Sequence, residues 1–249
     1  VESMLGLGDL PKGIFSCEAS GVSADGSVVV GRGQAIIGRR AWLRAWRWIR
    51  AVGLVDLGDL PGGTIVSFAS DVSADGSVVV GESHSKSGFE AFRWTLEDGM
   101  VGLGDLRGGA FRSSAHAISA DGLVVVGFGT GRSGSQALRW TRAGIMQALG
   151  DLPGGAVASR AYDVSADGAS VVGVGQTAKG EEAFVWDARS GMRNLHSLLA
   201  ETYALDLTGW TLLAATAISA DGRAIAGTGI NPESNQEAWL AVLPQGERN

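Results

Sequence analysis

Five copies of one tetrapeptide constrain this chain more than any other feature. Ser-Ala-Asp-Gly occurs at 23–26, 73–76, 119–122, 165–168 and 219–222, so its copies start 50, 46, 46 and 54 residues apart. Recurrence at such a period marks a repeat architecture, in which each unit buries its apolar faces against its neighbours. Each copy follows a run of small residues ending in Val or Ile, as in Ala69-Ser70-Asp71-Val72. Each precedes an apolar run, as in Val78-Val79-Val80. Asp-Gly between two such runs is a hairpin signal, because the glycine supplies positive φ without steric cost.

A third strand is expected around Glu90-Ala91-Phe92-Arg93-Trp94, echoed at 44–48, 136–140, 182–186 and 237–241. Its aromatic and apolar enrichment suits a half-buried pleated surface. A fourth strand is expected at Leu-Gly-Asp-Leu, at 7–10, 57–60, 103–106 and 149–152, followed by turns such as Pro61-Gly62-Gly63. Four antiparallel strands per unit of about 46 residues fit propeller blades, since β-helix coils are far shorter and helical repeats carry a 3.6 period.

The expected fold is therefore all-β, a five-bladed β-propeller formed as a single domain over 1–249. Its blades run over about 14–60, 64–106, 110–152, 156–196 and 210–243. The chain starts with a lone fourth strand and ends with a lone third strand, so an N-terminal strand at about 3–10 is expected to complete the last blade beside 237–243. That pairing closes the ring and removes two open sheet edges. Small residues recur where blades approach, at Ala45, Ala91, Ala137, Ala183 and Ala238 and at Ala19, Ala69, Ala115, Ala161 and Ala215. Trp48, Trp94, Trp140 and Trp186 recur where the gap is wider, and the fifth copy has Ala241.

These elements resemble the HAF repeat of bacterial extracellular proteins, named for a His-Ala-Phe tripeptide. The matching tripeptides are Arg44-Ala45-Trp46, Glu90-Ala91-Phe92, Gln136-Ala137-Leu138, Glu182-Ala183-Phe184 and Glu237-Ala238-Trp239, each on the expected third strand. The His is replaced in all five. The resemblance covers almost the whole chain and implies a bacterial secreted or cell-surface location; it brings no catalytic residues. The architecture is also similar to that of tachylectin-type lectins.

Composition narrows the function. A net charge of −6 disfavours nucleic acid, which requires a clustered basic surface. No apolar run approaches the length of a membrane helix. Cys17 is the only cysteine, so no intrachain disulfide and no Cys/His zinc spacing exist. Residues 1–5, ahead of Gly6-Leu7-Gly8-Asp9-Leu10, do not read as a charged and apolar leader, so any signal peptide is expected to have been removed or never to have been present. No cofactor motif is present: Gly127-Phe128-Gly129-Thr130-Gly131 follows a strand and opens no helix.

The aspartates of the repeat read as turn residues, because Asp accepts local backbone hydrogen bonds, and one Asp per hairpin does not make a calcium site. His84, His116 and His196 fall at different places in the unit, so no acid–base set is expected and no catalytic residue is assigned. The informative places are two departures from the period. Four extra residues fall within 32–44, a segment carrying Arg39, Arg40, Trp42 and Arg44, and eight extra fall within 196–213, which carries Trp210. Loops after the second and fourth strands of a blade leave on the same face. These five residues are the expected contacts for a glycan or protein ligand, through stacking and hydrogen bonding.

Overall fold

The computed structural model describes residues 4–10 and 13–243, and among them the chain is almost entirely strand and turn. It divides into two compact units, Val1–Asp105 with Phe111–Ala115, and Leu106–Ala110 with His116–Asn249. The first contains two antiparallel meanders. One is β1 (Gly13–Val22), β2 (Val28–Ile37), β3 (Arg40–Ile49) and β4 (Gly53–Asp56); the next is β5 (Gly62–Val72), β6 (Val79–Ser85), β7 (Gly88–Thr95) and β8 (Gly99–Gly102). Strand β9 (Gly108–Ile118) opens the third repeat, which continues with β10 (Val124–Gly131), β11 (Gly134–Thr141) and β12 (Met146–Ala148). The fourth is β13 (Gly154–Val164), β14 (Ser170–Thr177), β15 (Gly180–Asp187) and β16 (Gly191–Asn194). The fifth has three strands, β17 (Thr211–Ile218), β18 (Ala224–Ile230) and β19 (Gln236–Val242).

The Asp-Gly hairpins form as the repeat requires. In the second repeat, Asp75 accepts a hydrogen bond from the Ser77 amide at 2.9 Å and from the Ser73 hydroxyl at 2.7 Å, while Ser73 Oγ accepts from the Val78 amide at 3.0 Å. Gly76 sits at φ +72°. The turns also tie neighbouring repeats together, since the Ala24 amide donates to the Ala74 carbonyl at 2.9 Å and the Ala166 amide to the Ala220 carbonyl at 3.0 Å. Single parallel bridges, Phe89 to Arg112 and Ser135 to Ala158, link a third strand to the first strand of the next repeat.

The fourth strand is not Leu-Gly-Asp-Leu. Strands β4, β8 and β12 end immediately before that segment, and β16 holds the same place in a repeat that lacks it. The physical reason is its glycine: Gly58, Gly104 and Gly150 stand at φ +86°, +78° and +91°, which turns the chain out of the ladder in the middle of the segment. The turn lets both flanking leucines enter the space between sheets, where Leu57, Leu60, Leu149 and Leu152 are buried. The closing strand expected at about 3–10 is not formed over residues 4–10: Gly8, at φ +86°, turns the chain within 7–10, and residues 4–6 carry no strand pairing. Residue 3 lies outside the described residues.

The cores lie between sheets. Val28, Val30, Leu57 and Leu60 of the first repeat pack on Ala69, Val72, Val79 and Phe92 of the second. Val124, Val126, Leu149 and Leu152 of the third pack on Ala161, Val164, Val171 and Phe184 of the fourth. A buried serine staples each of these seams. Ser67 accepts from the Ala45 amide at 3.0 Å and donates to the Gly58 carbonyl at 2.7 Å. Ser159 does the same for Ala137 and Gly150, at 3.0 and 2.8 Å. One hydroxyl thereby satisfies an interior N–H and an interior C=O.

Neither departure from the period forms a free loop. The first lengthens β2 and β3 to ten residues each, against seven and eight in β6 and β7, around a tight turn at Gly38-Arg39. The second folds as short helical segments, Leu195–Ser197 and Leu198–Thr202, whose Leu195, Leu198 and Leu199 are buried against Leu212, Ala215 and Ile225.

Candidate functional site

A cavity of about 450 Å³ opens in the first unit, between the connection from β4 to β5 and the turn from β6 to β7. In an antiparallel meander, the turn between strands two and three and the connection from strand four to the next strand one leave at the same edge, so two loop types converge there. Leu60, Pro61 and Gly62 form one wall, Ser85, Lys86 and Ser87 the other, and Glu90 of β7 with Gly102 of β8 completes it.

The local sequence explains the shape. Gly62 at φ +85° turns the chain into β5, and a Cβ there would meet Lys86 Cβ at 3.0 Å, so glycine lets the two loops approach. Ser85 Oγ donates to the Gly88 carbonyl at 3.2 Å and accepts from the Ser87 amide at 3.2 Å, which fixes the turn and the root of Lys86. Glu90 is half-buried, and its Oε1 accepts from the Gly104 amide at 3.1 Å. Its carboxylate lies over Gly102, where a side chain would collide with it. An apolar wall, one ammonium, two serine hydroxyls and one oriented carboxylate can hold a small ligand that offers a nonpolar face and several hydroxyls.

The residues expected to contact a ligand are placed differently from one another. Arg39 and Arg40 are exposed at the tip of the β2–β3 hairpin, and Trp42 pairs with Ala35 lower on it, partly buried. Arg44 is only 5% exposed, and its guanidinium is committed to Asp56, at 3.0 to 3.1 Å, and to Asp59. Burial opposes its charge, but the bonds to both carboxylates outweigh that and raise its pKa. Trp210 is in the second unit and packs against the leucine cluster of the helical segment.

Arg44, Glu90, Gln136, Glu182 and Glu237 occupy one position of the repeat, the first residue of the third-strand tripeptide. Besides Arg44 and Glu90, two more of these side chains are pinned locally: Glu182 accepts from Asn194 Nδ2 at 3.1 Å and Glu237 from Asn231 Nδ2 at 2.8 Å. Lys86 and Glu90 were missed by reading insertions for function; the signal present in the sequence was the recurrence of Glu at this position beside a basic turn.

Other titratable groups serve packing. Asp163 accepts from the Val164 and Ile218 amides, both at 2.8 Å, and burial raises its pKa. Burial likewise raises that of Glu82. Cys17 is pushed up to about 11 by burial and by the neighbouring Asp9 carboxylate, so its thiol is not a nucleophile at neutral pH. Among the described residues, no group of three or more His, Cys, Asp or Glu could hold a metal ion. No helix among them is long and apolar enough to cross a membrane.

No protein-family model matches the sequence, and no curated protein matches it. Solved structures do. A TolB from Acinetobacter baumannii superposes with TM-score 0.55 at 13% identity, over 93% of this chain and 55% of that one. An oligogalacturonate lyase from Vibrio parahaemolyticus gives 0.56 at 12% identity, over 90% and 61%. A putative TolB from Agrobacterium tumefaciens gives 0.51 at 16%, over 94% and 78%. The chain therefore spans about half the length of the first of these. It is an all-β protein of the propeller type, and a fold shared by a TolB and a lyase leaves activity to the site.

Proposed function

We propose that the chain is a non-enzymatic binding module, secreted or displayed at a bacterial surface, whose ligand is a glycan or another protein. The observation that carries this reading is the 450 Å³ cavity of the first unit, with Lys86 and Glu90 set against Leu60 and Pro61 on an ordered scaffold. The location rests on the family resemblance of the repeat. A glycoside-acting enzyme needs a second carboxylate flanking the same bond, and the cavity presents Glu90 alone. A glycan array tests the reading. Wild type is expected to retain a defined set of glycans, and Lys86→Ala/Glu90→Gln to lose at least tenfold in affinity. Arg39→Ala/Trp42→Ala, on the hairpin leaving the same edge of its meander, is expected to weaken extended glycans more than short ones. A wild type that retains no glycan sinks the glycan reading, and binding of neither glycan nor protein leaves a purely structural module of a larger surface protein.

The same reading takes residues 1–249 as one five-bladed ring. In sequence, Met4-Leu5-Gly6 precedes Leu7-Gly8-Asp9-Leu10 as Met100-Val101-Gly102 precedes Leu103-Gly104-Asp105-Leu106, so the closing strand expected at about 3–10 repeats the segment that leads into that element.

A further inference from the structure

Residues that line the first-unit cavity have counterparts in the second unit, and the hydroxyl staple of the turn recurs with them. Leu152-Pro153-Gly154, between β12 and β13, repeats Leu60-Pro61-Gly62, and Gly154 again has positive φ, +93° against +85°. The turn between β14 and β15 repeats the hydroxyl staple. Thr177 Oγ1 donates to the Gly180 carbonyl at 3.1 Å and accepts from the Lys179 amide at 3.1 Å, matching the two 3.2 Å bonds of Ser85. Ala178 stands where Lys86 does, and Lys179 follows where Ser87 does, so this turn also carries one exposed ammonium. Glu182 takes the place of Glu90 and is held by a different partner, Asn194, whose Nδ2 donates to Glu182 Oε2 at 3.1 Å while its Oδ1 accepts from the Ser197 amide at 3.0 Å.

We propose that the protein is bivalent for a neutral pyranose, with one site on Pro61, Lys86 and Glu90 and a second, equivalent site on Pro153, Lys179 and Glu182. The inference rests on the binding reading above and adds the ligand class and the second site. A proline ring offers an apolar surface to the C–H face of a sugar. A carboxylate held by one oxygen accepts from neighbouring hydroxyls, and the ammonium donates to another. Opposite charges at each site leave no net field to select an ion. The intervening repeat breaks the pattern, with Arg107 for the proline, Gly131 for the hydroxyl and Gln136 for the carboxylate, so no third site of this kind is expected.

The test is a binding stoichiometry on the whole chain. Methyl glycosides of glucose, galactose, mannose, fucose and N-acetylglucosamine are screened by saturation-transfer NMR, and the strongest binder is titrated calorimetrically. Two sites per chain are expected for wild type, one each for Glu90→Gln and Glu182→Gln, and none for the double variant. Lys179→Ala, which keeps the backbone amide that donates to Thr177 Oγ1, guards against misfolding and is expected to weaken one site at least fivefold. A single wild-type site lost in Glu90→Gln and untouched by Glu182→Gln overturns bivalence while leaving the binding reading intact. Two sites indifferent to Glu182→Gln and Lys179→Ala overturn the second assignment. No binding of any of the five by wild type overturns the pyranose inference, and an array that still retains other glycans or a protein partner keeps the broader reading apart from it.

Discussion

The seam between the third and fourth repeats and the seam between the fourth and fifth fill equivalent space with different backbone. At the first, Leu149 and Leu152 reach inward from an irregular loop, and Ser159 ties that loop to β11 and β13. At the second, Leu195, Leu198 and Leu199 come from a helical segment, and Leu213 stands where Ser159 would. Its polar tie is Asp163, which crosses from β13 to the Ile218 amide at 2.8 Å. The difference teaches that such a seam needs apolar volume and a partner for each buried amide, and that neither need fixes how the connecting chain runs.

The largest expected effect tests the volume. Leu199→Ala and Leu152→Ala should each lower stability in urea by about 2–5 kcal/mol, the cost of lost burial plus a residual cavity. A near-neutral Leu199→Ala would show that the helical segment merely covers the sheet, and the equivalence would fail. Next comes the staple. Ser159→Ala should cost about 1–3 kcal/mol, because the Ala137 N–H and the Gly150 C=O are left buried without it. An unchanged urea midpoint would show that the staple is dispensable.

The smallest effect is one of pH. His116, on the third–fourth seam, shares a 2.7 Å hydrogen bond with the Ala161 carbonyl and stacks on Tyr162. Burial, with some help from Arg160, holds its pKa below the ordinary 6.5. The unfolded chain therefore takes up a proton first as pH falls. The stability due to the neutral ring is complete above about 6.5 and is lost as pH drops toward the folded value. Between pH 8 and pH 5, wild type should lose more stability than His116→Gln; parallel curves would remove this residue from the account.

Much of the architecture was legible because it repeats. Five Ser-Ala-Asp-Gly elements located every first hairpin, and the aspartates proved to be the turn acceptors that their chemistry implied. Leu-Gly-Asp-Leu was misread because flanking leucines bury equally well from a strand or from a loop, and only the glycine's φ separates the two. Arg44 looked like an available cation, yet Asp56 and Asp59 lie on the next strand and loop, a proximity no spacing rule conveys. The cavity itself was hidden, since Pro61, Lys86 and Glu90 belong to two repeats and meet only after both meanders form.

The closed ring proposed for residues 1–249 is tested most directly by a crosslink at the ends. By the register of Arg93 with Val101, Leu240 should face Leu5. In a Cys17→Ser background, Leu5→Cys/Leu240→Cys should oxidise to an intramolecular disulfide, seen as a faster monomer band on a nonreducing gel. Absence of that band, or formation of disulfide dimers alone, would contradict a closed five-bladed ring.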